Sequence, residues 1–107
     1  MILKNDFFNI LGFAVRAGKV SFGAFACDRG VKSGKIRLML LDAGASERTA
    51  KDMRNMCAYY EVPLITVEPQ GLLAERAGRG GLIVMGVTDA GFTKRLLEIA
   101  NSEKVEV

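Results

Sequence analysis

The spacing of apolar side chains divides the chain into alternating helical and extended segments. Residues 5–17 (NDFFNILGFAVRA) set Phe7, Ile10, Leu11 and Ala14 at helical spacing, with Asn5 placed to cap the start and Gly18 to take the left-handed position after the end. Gly12 inside this helix costs up to about 1 kcal/mol of propensity, which points to a close crossing with another element. Residues 20–22 (VSF) read as a very short strand. Residues 23–33 read as a second helix with Cys27 and Val31 facing inward, Gly34 as its stop, and Arg29 and Lys32 as neighbours on its surface. Residues 36–41 (IRLMLL) are nearly all apolar, as in a strand covered on both faces.

The second half repeats the alternation. After a loop at 42–45, Ser46 caps a third helix with Glu47 in its first turn, and Ala50, Met53, Cys57 and Tyr60 form its inward stripe. Residues 62–67 make another strand, with Pro63 near its start. Glu68-Pro69 opens a short fourth helix with proline at the first helical position; Leu72, Leu73 and Ala77 supply its apolar face, and the glycine-rich 78–81 breaks it. Residues 82–87 are a buried strand. Asp89 caps a last helix that packs Phe92, Leu96 and Ile99 inward, and a tail from Glu103 to Val107 is expected to fray. Helices alternating with apolar strands specify a single α/β domain over residues 1–107, a three-layer α/β/α sandwich around a mixed sheet of about four strands.

Composition changes this picture in two places. The 107 residues are half hydrophobic and one quarter charged, a globular mix, and the formal charge is +3. That charge is uneven: before residue 42, Lys4, Arg16, Lys19, Arg29, Lys32, Lys35 and Arg37 stand against only Asp6 and Asp28. Such asymmetry fits an anionic partner on one part of the surface. The chain has no histidine and its two cysteines, Cys27 and Cys57, lack metal-site or redox spacing; they read as buried thiols of a reducing, cytoplasmic protein with no metal or cofactor. No apolar run is long enough to span a membrane and no signal peptide is evident at the N-terminus.

Candidate chemistry concentrates in residues 18–37. Gly23 at a helix start exposes backbone N–H groups at the positive end of the helix, and Lys19, Arg29, Lys32 and Lys35 surround it with cations suited to phosphate oxygens. Phe25, in the first turn, either packs into the core or stacks on an unpaired base. The loop at 78–81 lies between a helix and the following strand, whereas phosphate cradles of nucleotide sites lie between a strand and the following helix, so it reads first as a connection. Its glycines also clear room for Arg79 to approach a nucleic-acid backbone. Asp42 and Asp89 follow strand ends, where α/β folds place ligands, but Asp89 is accounted for as a helix cap. Without histidine or an activated nucleophile, no catalytic residue is assigned and the chain is read as a non-enzyme.

The ordered set Gly18-Lys19-Val20, Gly23, Val31-Lys32-Ser33-Gly34-Lys35-Ile36-Arg37-Leu38, Leu40-Leu41-Asp42 with Ser46, Tyr60-Glu61-Val62-Pro63 and Val87-Thr88-Asp89-Ala90-Gly91-Phe92 resembles the superfamily of ribosomal proteins L-seven-Ae and L-thirty-e, above all its small bacterial members. The resemblance covers nearly the whole chain. It implies an α/β/α sandwich that binds kink-turn RNA. In that family a Gly-x-Asn-Glu start to the second helix reads sheared G·A pairs, helped by a basic residue three positions after the Glu. Here the window is Gly23-Ala24-Phe25-Ala26 with Arg29 at the basic position; Phe25 and Ala26 cannot make the polar base contacts. The family's second contact loop falls on Arg79-Gly80-Gly81. The resulting expectation is a non-enzymatic, ribosome- or structured-RNA-associated protein that takes rRNA or kink-turn RNA through Lys19, Gly23, Phe25, Arg29, Lys32, Lys35, Arg79 and Gly80. The alternative is a protein-interaction module on the same fold.

Overall fold

The structure is a computed structural model that describes residues 5–103. The expected fraying of the tail concerns residues beyond 103 for the most part and lies outside them. In chain order the elements are α1 (Asn5–Arg16), β1 (Val20–Phe22), α2 (Ala24–Lys32), β2 (Leu38–Asp42), α3 (Glu47–Tyr59), β3 (Leu64–Val67), α4 (Leu72–Ala77), β4 (Val84–Val87) and α5 (Ala90–Glu103). The four strands form one mixed sheet in the order β1-β4-β2-β3. Only β2 and β3 run parallel, joined by α3 as the crossover such a pair requires, while β4 is antiparallel to both of its neighbours. The two central strands are buried at every residue, which is why their sequences are continuously apolar rather than alternating.

Two apolar clusters occupy the two faces of the sheet. On one, Phe7, Phe8 and Leu11 of α1, Leu73 of α4 and Leu96 and Ile99 of α5 close over Leu38, Leu40, Val67, Met85 and Val87. On the other, Cys27 and Val31 of α2 and Ala50, Met53 and Cys57 of α3 close over Met39, Leu41 and Val84. Full burial of a side chain such as Phe7 or Leu40 contributes roughly 1.5–3 kcal/mol, so both layers are held by the stripes that the spacing marks. Among the described residues no helix is long and apolar enough to cross a membrane.

The register defines two ends of the sheet. At one, Gly23 N–H donates to Val84 O at 3.0 Å and Asp42 N–H to Ile83 O at 2.8 Å. At the other, Arg37 N–H donates to Val87 O at 2.8 Å and Thr88 N–H to Lys19 O at 2.9 Å. Helix α2 runs from the Gly23 end to the Arg37 end along one face.

The fold departs from the pattern-based expectation at particular residues. Pro69 does not open α4: the helix begins at Leu72 after Gly71, because the carboxylate of Asp42 captures Gly71 N–H at 2.9 Å and Leu73 N–H at 3.1 Å, and Gly44 N–H at 2.8 Å as well. Asp42 is therefore a buried strut between β2 and α4, not a ligand position. Among the described residues Gly12 meets no crossing element; the near atom is Arg16 Nη1 of its own helix. The close approach is made by Ile36, whose side chain packs onto the bare backbone of Gly30 in α2 and Gly86 in β4; a Cβ at Gly30 would stand 2.5 Å from Ile36 Cδ1. Ile36 itself is buried but precedes β2 rather than opening it. Tyr60 does not complete the inward stripe of α3: it caps the helix and is 41% exposed.

Candidate nucleic-acid interface

Gly23 holds φ of 88°, a conformation open to glycine and strained for other residues, and so turns β1 directly into α2. No side chain among the described residues caps this end. Its first N–H groups therefore face outward at the positive end of the helix dipole. They border a recess of about 390 Å³ lined by Phe22, Gly23, Thr49, Arg79, Gly80 and Ile83. Two distant stretches meet here because β1 and β4 pair, which brings the loop that precedes β4 against the end of β1. The Arg79 guanidinium lies 3.8 Å from the centre of the Phe22 ring. Stacking on the ring leaves the edge of the guanidinium free for oxygen acceptors.

A second recess, of about 340 Å³, follows α2 away from Gly23 and is lined by Ser21, Phe25, Ala26, Arg29, Ser33 and Lys35. Phe25 is 75% exposed, so it is a surface ring and not a core residue. Arg29 sits 5.7 Å from its centre, so the first turns of α2 present a flat apolar face with a cation at its edge.

The residues expected to form the site thus divide into groups. Gly23, Arg79 and Gly80 share the first recess, while Phe25, Arg29 and Lys35 share the second. Lys32, three residues after Arg29, faces the other flank of α2, where its Nζ is 3.2 Å from Asp28 Oδ1 and where a third recess begins. Lys19 is exposed at the far end of β1 and lines neither of the first two recesses. Phe22, Thr49 and Ile83 belong to the first recess and carried no local signal. The apolar alternation marks Phe22 as a strand residue, and nothing near it in sequence announces Arg79.

Neither thiol contributes to these surfaces. Cys27 and Cys57 are both buried and free. Burial pushes the Cys27 thiol up to about 12, a hydrogen bond from the Gly86 backbone opposing the rise and the neighbouring Cys57 adding to it. Burial raises the Cys57 thiol as well. Raised thiols are poor nucleophiles at neutral pH. Asp89 donates no chemistry to a site either: its Oδ2 accepts from Phe92 N–H at 2.8 Å as the cap of α5.

The strand order, the layers and the glycine-started α2 facing a basic loop define an L-seven-Ae-like α/β/α sandwich. A solved structure from Giardia lamblia described as a 15.5kD RNA binding protein has this fold, with a TM-score of 0.77 over 95% of this chain and 91% of that one at 16% identity. A protein of unknown function from Bacillus halodurans C superposes with a TM-score of 0.85 over 92% of this chain and 99% of that one, at 28% identity. No protein-family model matches. In sequence, the chain is 35% identical over 94 residues to RNA-binding protein YlxQ of Bacillus subtilis (strain 168), covering 88% of this chain and 94% of the relative. It is 30% identical over 91 residues to RNA-binding protein YlxQ of Enterococcus faecium, covering 85% and 87%. The chain belongs to this YlxQ family.

Proposed function

We propose that the protein is a non-enzymatic, cytoplasmic RNA-binding protein whose target is structured RNA of the kink-turn or ribosomal class. The observation that carries the reading is the convergence at the start of α2: uncapped N–H groups, a stacked Arg79, and an exposed Phe25–Arg29 pair bordering two adjoining recesses. The names of its relatives support the RNA-binding part of this reading. Backbone N–H groups, Arg79, Arg29 and Lys35 hold phosphates, and the Phe25 ring takes a base face. Phe25 and Ala26 stand where the resemblance places an Asn-Glu pair, so recognition here runs through charge, shape and stacking rather than base-edge hydrogen bonds.

The test is direct binding to a kink-turn RNA and to a plain duplex across a salt series. Neutralising four to six phosphates gives a slope of log affinity against log salt of roughly −3 to −5. The kink-turn is expected to bind more tightly than the duplex, and Arg29→Glu to weaken both while leaving the circular dichroism spectrum unchanged. A salt-insensitive complex, or full affinity in Arg29→Glu, would overturn the assignment. Equal affinity for the two RNAs would overturn the kink-turn preference alone.

A further inference from the structure

The end of the sheet opposite Gly23 carries a second aromatic and basic surface. Helix α3 starts at the Gly23 end and finishes here, and its last turn presents Tyr59 and Tyr60, with ring centres 4.9 Å apart at 74°. Tyr59 is 80% exposed, well beyond what packing of the helix requires. The chain turns sharply after them: Glu61 adopts φ of 57° and Val62 N–H returns to Cys57 O at 2.8 Å, so the rings are held at a fixed helix end rather than on a long loop. Beside Tyr60 lies a recess of about 330 Å³ lined also by Lys32, Gly34, Ile36, Arg37 and Glu61.

This recess adjoins the α2 surface. It contains Lys32 and Gly34, while the Phe25 recess contains Ser33 and Lys35 from the same turn. The two share the end of α2, a helix of nine residues and about 14 Å. Arg37 and Lys19 flank the last residues of β4 at this same end of the sheet. Two cations, Lys32 and Arg37, therefore share the recess with Tyr60, with Lys35 in the adjoining recess, and they are opposed by Glu61 and by Asp28, which is paired to Lys32. Exposed rings beside cations, continuous with a phosphate-binding helix, are the arrangement that single-stranded nucleic acid takes: bases stack on the rings while the backbone follows the positive groove.

We infer that Tyr59 and Tyr60, with Arg37 and Lys32, form a second RNA contact, a stacking ledge for an unpaired strand that leaves the structured RNA held at Gly23 and runs along α2. The inference rests on the RNA-binding reading above and extends it to a different ligand chemistry at the other end of the molecule.

Composition supplies a reporter. The chain has no tryptophan and two tyrosines, and both are on the ledge, so intrinsic tyrosine emission reads this site alone. The probes are one kink-turn RNA with and without a single-stranded uridine extension of about eight nucleotides, and the uridine oligonucleotide by itself. The extension is expected to tighten binding about tenfold, with quenching of tyrosine emission. Tyr59→Ala/Tyr60→Ala and, separately, Arg37→Glu are expected to erase that gain and leave affinity for the unextended RNA unchanged. Tyr59→Phe/Tyr60→Phe is expected to retain the gain, since stacking needs the ring and not the hydroxyl. An extension that adds nothing, or adds as much in the alanine variant, overturns the ledge while the α2 site stands. Failure of the unextended RNA to bind the unaltered protein strikes the underlying reading instead. The isolated oligonucleotide still tests the ledge in that case, and tyrosine emission that it leaves unquenched overturns the proposal.

Discussion

At the scale of single residues, the positions that combine a structural demand with an unfavourable side chain are the informative ones. Glu61 occupies the left-handed position after α3, where its N–H bonds Ala58 O at 3.4 Å and the next residue bonds Cys57 O. Glycine fills the equivalent position after α2, Gly34 with φ of 78°. Glu61→Gly is expected to stabilise the protein by about 0.5–1 kcal/mol in urea unfolding, because it removes the clash of Cβ with the carbonyl. Thr93 carries a buried hydroxyl with no hydrogen-bond partner among the described residues. Thr93→Val is expected to raise stability by about 1 kcal/mol, since an orphaned polar group forfeits its hydration without return. For Cys27, the folded state keeps the proton to about pH 12, whereas an unperturbed thiol releases it near 9.0. Alkali thus favours the unfolded chain: this contribution is level below pH 9 and falls as pH rises toward 12. Thermal melts of the native protein should show that decline, and Cys27→Ala, although less stable at neutral pH, should show a shallower one.

At the scale of elements, caps and stops follow rules a sequence displays, and contacts between elements do not. Ser46 caps α3 by accepting from Thr49 N–H at 3.2 Å, and Asp89 caps α5, both as their spacing implies. The start of α4 was displaced from Pro69 because a carboxylate far away in the chain holds its first N–H groups. Asp42 sits in β2 with 4% exposure and serves three backbone donors, a role invisible in the local run LMLLD. Asp42→Asn turns one acceptor into a donor facing donors and is expected to cost about 3 kcal/mol, measured by urea unfolding, with α4 losing amide-exchange protection first. Gly12 and Gly30 teach the same lesson from opposite sides. Both interrupt helices, but only Gly30 lies under Ile36, because only α2 is pressed onto the sheet at that residue.

At the scale of the whole molecule, the electrostatic asymmetry of the sequence becomes a path. Of the early cations, Arg29, Lys32 and Lys35 lie on or just after α2 and Lys19 and Arg37 at the far end of the sheet, and Arg79 joins them from the second half at the Gly23 end. If RNA enters at Gly23, charge reversals there should dominate affinity for compact RNA. Arg79→Glu is expected to weaken kink-turn binding and make the salt slope shallower by about one, checked by titration across a salt series. Lys19→Glu, at the far end of β1, is expected to leave that affinity nearly unchanged. Equal losses in both variants would mean that the cations act as a diffuse field rather than as a site.

The sequence by itself determined the element order, the two helix caps at Ser46 and Asp89, the stops at Gly18 and Gly34, the buried stripes and the basic character of residues 18–37. These depend on interactions within a turn or two of chain, or on the simple alternation of apolar and polar side chains. Tertiary structure alone decided which of those cations share a recess, that Phe25 lies outside, that Phe22 carries Arg79, and that Tyr59 and Tyr60 form an exposed pair beside Arg37. The physical reason is that strand pairing sets these neighbours. The antiparallel register of β1 with β4 brings Arg79 to Phe22, and the parallel β2–α3–β3 crossover returns the end of α3 to the basic end of the sheet.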